Sequence, residues 1–414
     1  MTTLSPGRVR LALLALALGG FGIGATEFVA MGLLPEIARD LLPATYAASP
    51  ENALAQTGAM IAAYAAGVVV GAPTIAALAA RFPRRGLLVV LAAAFTVGTI
   101  ASAVAPTFEL VVAARFVAGL PHGAYFGVAA LVASSLMGPG KRGRGIAFVL
   151  SGLTIANVVG VPLITLLGQS AGWRAAYLVV AAIFAATFAA ILIFVPARPG
   201  DPAATFRREL KVFRRIGVWF ALLTGAIGFG GFFAVYSYVA PLATEVTGLP
   251  SGFVPFALVA LGVGMTIGNV IGGRLADRGA VRGIFLCFAA FAVSLTLLAL
   301  TAANPVGLFA GLLLVGGSAA TLSPLIQTRL MDVAGDAQTL AAAINHSSLN
   351  LGNTLGAFLG GVVIAAGFGF VAPTWVGLAL CVPGVLFAVA GALVSKYALT
   401  ETGSLKTRPP IDPT

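Results

Sequence analysis

From Ala175 to Ala197 the chain reads AAYLVVAAIFAATFAAILIFVPA, an unbroken run without a charge between Arg174 and Arg198. Such a run is long enough to cross the hydrocarbon of a bilayer as one helix, and it offers water nothing to solvate. The same pattern extends in both directions. Charge-free intervals run 52–80, 86–108, 145–173, 216–244 and 246–273, one crossing each. The intervals 283–328 and 337–395 are too long for a single helix. Each carries a turn signal in its middle, Asn304-Pro305 and Gly367-Phe368-Gly369, and so reads as two helices. Two further spans hold one charge apiece: Leu11 to Leu34 around Glu27, and Leu110 to Met137 around Arg115. The fold class is therefore an all-α membrane protein with twelve transmembrane helices.

Composition agrees. The 414 residues are 59% hydrophobic and 9% charged, against about 25% charged in a soluble domain. That excludes a soluble enzyme, a secreted disulfide module and a nucleic-acid binder, although the net charge is +11. Of the 24 Lys and Arg, all but Arg39, Arg115 and Arg174 fall on the side of the two termini. This asymmetry predicts cytoplasmic termini, with the basic residues lying beside anionic lipid of the inner leaflet. The amino-terminal apolar run continues past Glu27 to Pro35, too long for the core of a signal peptide. Cys287 and Cys381 lie inside apolar spans and have no metal or redox spacing.

The polar stretch 196–215 follows the sixth helix and divides the chain. The expected organisation is a cytoplasmic tail 1–10, a six-helix bundle 11–195, a cytoplasmic linker 196–215, a second six-helix bundle 216–394 and a tail 395–414. Features recur between the halves. Pro35 and Pro241 end the first helix of each, and the loop Leu78 to Arg85 corresponds to Leu275 to Arg282. Two pseudo-symmetric halves of this kind predict a transporter with its site between them near mid-membrane.

The run Gly273-Arg274-Leu275-Ala276-Asp277-Arg278-Gly279 resembles the signature loop of the major facilitator superfamily. Its amino-terminal copy has Ala80 in place of Asp and Pro83 in place of Gly. The resemblance implies a conformational gating loop made of Gly273, Asp277 and Arg278, with Arg81, Arg84 and Arg85 in the other half. Arg115-Phe116-Val117-Ala118-Gly119 matches the superfamily's fourth-helix pattern, and Gly152 to Pro162 resembles its antiporter motif. Three longer strings are more specific: Gly24 to Phe28 leading to Gly32-Leu33-Leu34-Pro35-Glu36, Tyr64 to Pro73, and Gly119 to Gly127. Together they resemble the drug:proton antiporter branch that includes arabinose-efflux permeases and chloramphenicol-resistance exporters. The resemblance implies proton-driven export.

Few polar groups lie within the spans. Glu27 is the single acid there and Arg115 the single strong base, while His122 and His346 are the only histidines. Intramembrane ionisable groups are costly and mark pathways, so Glu27, Arg115 and His122 are the candidate proton-coupling residues. The structural alternatives are an ion pair between Glu27 and Arg115 and a satisfied histidine beside Pro121. Arg115, Gly119 and His122 stand at i, i+4 and i+7 on one helix face. His346, Asn350 and Asn353 repeat that spacing on helix 11 and read either as a cavity face or as interhelical glue. Phe28, Met31, Asn157, Tyr236, Tyr238 and Gln327 complete the candidate cavity. A regular helix turns Tyr236 and Tyr238 to opposite sides.

No glycine run has the context of a phosphate loop, and no paired carboxylates or zinc spacing occur within the spans. The expectation is a non-enzymatic transporter of the bacterial inner membrane without metal or cofactor. Its partners are a small-molecule cargo, protons and membrane lipid, and it acts as a monomer. Proton-coupled uptake and a non-transporting receptor or scaffold are the alternatives.

Overall fold

The computed structural model describes residues 5–79, 82–137, 142–197, 213–334 and 338–406. Among these residues the regular elements are helices, with no strand. The spans are α1 Pro6–Gly32, α2 Pro50–Ile75, α3 Arg84–Val104, α4 Phe108–Met137, α5 Arg144–Ala171, α6 Trp173–Phe194 and α7 Ile216–Tyr236. The stretch Ser251–Thr301 is bent at Gly279, whose φ is 133°, and so contains α8 (251–278) and α9 (280–301). Then come α10 Pro305–Ala334, α11 Ile344–Phe368 and α12 Ala372–Ser395. These twelve crossings are the number expected from the charge-free intervals. Residues 198–212 of the linker 196–215, and Arg81 of the gating loop, lie outside the described residues.

Local chemistry places the turns. The Asn304 side-chain oxygen accepts the Val306 N–H at 2.8 Å and caps α10 where Pro305 enters its first turn. Gly367 and Gly369 take φ of 82° and 77° between α11 and α12, a region closed to most side chains. Several helices are interrupted inside the membrane. α4 breaks at Leu120-Pro121, and α5 widens into a π turn at Ala156–Gly160 before Pro162. α1 gives way at Leu33 to a short helix Leu34–Leu41, and α7 stops at Tyr236. Proline explains the first two, since it removes a backbone donor.

Backbones touch where glycine permits. A Cβ on Gly67 or Gly71 of α2 would come within 2.1 or 2.0 Å of the Phe116 or Leu120 carbonyl oxygen of α4. The counterpart in the second half is Gly264 and Gly268 of α8 against Leu313 and Gly317 of α10, at 2.1 and 2.0 Å. The same close pairing thus recurs in both halves, without side chains to interlock.

The first six helices meet the last six along α2 with α11, α5 with α8, and α1 with α7. We call the end of the bundle that carries the termini the terminal side, and the other the distal side. Among the described residues three hydrogen bonds join the halves. Gln169 Nε2 donates to the Ser251 carbonyl at 3.0 Å, Thr354 Oγ1 to the Ala62 carbonyl at 3.4 Å, and Asn353 Nδ2 to Glu27 Oε1 at 3.2 Å. The first lies at the distal ends of α5 and α8.

Candidate functional site

Glu27 lies near the distal end of α1 and is 4% exposed. Its hydrogen-bonding partner is Asn353 of α11, in the opposite half. The ion pair with Arg115 that the sequence allows is absent: among the described residues the sole pair within 4 Å is Arg174 with Asp40. Arg115 instead donates from one nitrogen to Thr26 Oγ1 at 2.9 Å and from another to the Thr26 carbonyl at 2.8 Å. The guanidinium lies over the Tyr64 ring, 4.2 Å from its centroid, and 5.4 Å from that of Tyr177. A fully buried cation is thereby held by two oxygens and two aromatic faces.

Arg115, Gly119 and His122 all meet Tyr64 of α2, despite the break in α4. A Cβ on Gly119 would lie 2.1 Å from the Tyr64 carbonyl oxygen, and the Tyr64 hydroxyl is 3.2 Å from His122 Nδ1. His122 also faces the second half, its ring 6.2 Å from that of His346. His346 lies flat on Phe126 of α4, at 5.3 Å and 7°.

Phe28 of α1 stacks on Tyr236 of α7 at 5.1 Å and 14°, so an aromatic pair spans the halves beside Glu27. Phe233 adds a second ring 6.4 Å from Phe28. α7 ends between Tyr236 and Tyr238, so the regular-helix premise does not hold there; both are buried, and they meet different partners, Tyr236 the Phe28 ring and Tyr238 α11 and α2. Tyr238 donates to the Ala357 carbonyl of its own half at 2.8 Å, and its hydroxyl occupies the space a Cβ on Gly58 of α2 would need. Met31 is fully buried on α1. Asn157 is buried in the π turn of α5, where its backbone abuts Gly262 of α8. Asn350 donates to the His346 carbonyl within its own helix at 3.0 Å. Gln327 is half-buried on α10 and has no bond to this cluster.

Several buried polar atoms here have no hydrogen-bond partner: Arg115 Nε, Tyr236 Oη, and the side-chain oxygens of Asn157, Asn350 and Asn353. Such atoms are few in native proteins, and leaving one unpaired costs about 1–3 kcal/mol. Together with the aromatic pair they give an amphipathic lining, with hydrogen-bonding capacity unused by the protein.

Distal to this cluster both halves line a cavity of about 200 Å³, with Glu36, Arg39, Gln169, Thr244, Glu245 and Ser251 on its wall. Burial pushes the Glu36 carboxyl up from its usual range, against its own backbone N–H and the charge of Arg39. Asp40 behaves oppositely. Burial raises it, but hydrogen bonds from Arg174 and Trp173 and the charge of Arg174 bring it below the ordinary value. In the gating loop, Asp277 and Arg278 are exposed, Gly273 is half-buried, Arg84 is half-buried, and Arg85 donates to the Leu192 carbonyl.

Thr26, Tyr64, Tyr177, Phe126 and Phe233 belong to the cluster and were not singled out from sequence. Tyr64 had a usable signal. A phenol in the middle of an apolar span needs a partner for its hydroxyl, and it stands one turn from Gly67.

The family model of the Major Facilitator Superfamily matches residues 16–278 and 244–410. The chain is 37% identical over 366 residues to the inner membrane transport protein YdhP of Escherichia coli (strain K12), covering 88% of this chain and 91% of that one. It is 33% identical over 384 residues to a chloramphenicol resistance protein of Streptomyces lividans, covering 92% and 94%. Among solved structures, a D-xylose-proton symporter superposes with a TM-score of 0.72 at 17% identity, over 92% of this chain and 97% of the other.

Proposed function

The chain belongs to the Major Facilitator Superfamily, and from that premise we propose that it exports a small neutral compound across the bacterial inner membrane in exchange for protons. The terminal side is the cytoplasmic side, in keeping with the Lys and Arg asymmetry. The two six-helix units rock about the cluster around Glu27, and one copy of the chain is the working unit.

The observation that carries this reading is the bond from Asn353 to Glu27. The acid within the spans is held by an amide of the opposite half, so gaining or losing a proton changes what joins the halves. Charge at one carboxyl is thereby tied to the equilibrium between two arrangements, which is what coupling requires. Arg115 sets the geometry by fixing Thr26, the neighbouring residue.

The cargo is received beside the Phe28–Tyr236 pair, whose rings touch in this arrangement, and uses the unpaired Asn157, Asn353 and Tyr236 groups as the halves part. A phenicol-type drug or a sugar suits such a lining, and the similarity to a chloramphenicol resistance protein supports the former. Export rather than uptake rests on that relative and on the sequence motifs.

The test is Glu27→Gln in energised inverted vesicles equilibrated with chloramphenicol and, separately, with pentoses. Gradient-driven accumulation falls to the level of vesicles lacking the protein, while cargo binding persists. Unchanged accumulation in the variant overturns the coupling role. Movement in the opposite sense under the same gradient identifies an uptake symporter.

A further inference from the structure

The chain has two histidines in 414 residues. Both lie within spans, on α4 and α11, and they face each other across the halves with ring centroids 6.2 Å apart. Neither is needed to hold the other: their planes are tilted by 53°, and no hydrogen bond joins them. Each has a firm seat of its own. His122 is tied through Nδ1 to the Tyr64 hydroxyl at 3.2 Å, and His346 is stacked on Phe126 at 5.3 Å.

The pair also lies at a telling depth. On α4, His122 is seven residues, about two turns, nearer the terminal side than Arg115. On α11, His346 is seven residues nearer that side than Asn353, which holds Glu27. The imidazoles are therefore the next ionisable layer below the Glu27 level. Tyr64 links the layers, because its ring carries Arg115, its hydroxyl meets His122, and the charges of Glu27 and Arg115 both act on it. Of the neighbouring phenols, Tyr125 of α4 has its hydroxyl committed to the Leu16 carbonyl at 3.0 Å, and Tyr177 of α6 lies against Arg115.

We propose that Tyr64, His122 and His346 form the inner leg of the proton path, carrying the proton released by Glu27 from the first half to the second and on to the terminal side. This rests on Glu27 being the proton carrier. Glu27 becomes a carboxylate as its proton passes, through water admitted when the halves part, to the Tyr64 oxygen. Tyr64 gives its own proton to His122 Nδ1, and His122 releases its Nε2 proton toward His346. The facing rings have no direct hydrogen bond, and in this scheme a water between them carries the transfer. His346 passes a proton onward, and each neutral group returns to its starting form as its ring or hydroxyl reorients. One proton leaves Glu27 and one leaves His346, and only O–H and N–H bonds change.

Two histidines make the test direct. The full chain is labelled with ¹⁵N-histidine, placed in lipid nanodiscs, and its ring nitrogens are observed by NMR, with His122→Gln and His346→Gln assigning the signals. The expected result is His122 as the Nε2–H tautomer with Nδ1 accepting, and ring N–H protons of both residues exchanging with water. That exchange slows at least tenfold at both rings in Tyr64→Phe, and Glu27→Gln shifts the His122 signals. A structural histidine pair gives another pattern: Tyr64→Phe then moves the His122 signal alone and leaves exchange at His346 unchanged. That outcome overturns the proposal, as does a wild-type protein in which neither ring proton exchanges. Failure of the Glu27 reading is seen separately, in the vesicle assay. Coupling lost in Glu27→Gln with silent histidines removes the relay alone, and coupling kept in that variant removes the carrier on which the relay depends.

Discussion

Arg115 binds the residue beside Glu27 and not Glu27 itself, through hydrogen bonds of 2.9 and 2.8 Å to the hydroxyl and carbonyl oxygens of Thr26. The buried cation therefore locks α4 to α1 while leaving the carboxyl free to bond across the halves. Lysine has one small ammonium group and cannot span both oxygens while lying flat on Tyr64. Arg115→Lys is expected to lower stability by about 2 kcal/mol and to abolish driven efflux. Thr26→Val, which keeps the carbonyl bond, costs about 1 kcal/mol and leaves partial transport. Thermal melts in detergent and vesicle uptake check both.

The contact between the halves at mid-span is open to a covalent test. Thr354 Oγ1 meets the Ala62 carbonyl at 3.4 Å across α11 and α2. Cysteines at Ala62 and Thr354 are expected to cross-link under mild oxidation and to stop transport until a reductant is added. Native Cys287 and Cys381 are buried, at 3% and 6% exposure, and remain unreactive in the parent. A pair that fails to cross-link in lipid shows that the halves stand apart there.

Close approach of backbones makes a graded prediction. A Cβ on Gly268 would lie 2.0 Å from the Gly317 oxygen, whereas one on Gly252 meets nothing within 4 Å. Gly268→Ala is expected to cost about 1–3 kcal/mol through forced separation of α8 and α10. Gly252→Ala leaves the melting temperature where it was.

Glu36 gives a pH dependence whose sign can be worked out. Burial holds its carboxyl above the unfolded value, so the folded protein takes up a proton more readily than the unfolded chain. Its contribution to stability therefore improves as pH falls through the folded value toward 4.5, and worsens above it. Glu36→Gln removes the penalty: the variant melts higher than the parent at pH 7, and the difference shrinks on acidification. Melting curves of both proteins from pH 4 to pH 8 read this out.

The fold was largely legible because its signals are local. Charge-free length marks each crossing, Asn304 and Gly367 mark the turns inside the two long intervals, and the loop at Gly279 separates α8 from α9. The polar stripe of α11 was also visible, since its i, i+4, i+7 spacing needs only helix geometry. What each stripe meets was not. That Asn353 reaches Glu27 depends on how two bundles dock. That Arg115 prefers Thr26 depends on a backbone carbonyl, an acceptor every residue has and no sequence advertises. The end of α7 had a signal in Pro241, which has no N–H for the Ser237 carbonyl four residues back. What Tyr236 and Tyr238 meet beyond that break was not legible, because it depends on packing against other helices.

The three hydrogen bonds between the halves bear on how fast the molecule can idle. Exchanging each for a bond to water costs about 0.5–1.5 kcal/mol, so their rupture together is within reach of thermal agitation, with no fuel spent. Wasteful slippage must then be prevented elsewhere: until water enters between the halves, a Glu27 carboxylate that loses Asn353 has no other hydrogen-bond partner among the described residues. For a deprotonated, cargo-free molecule the first step of opening is therefore uphill.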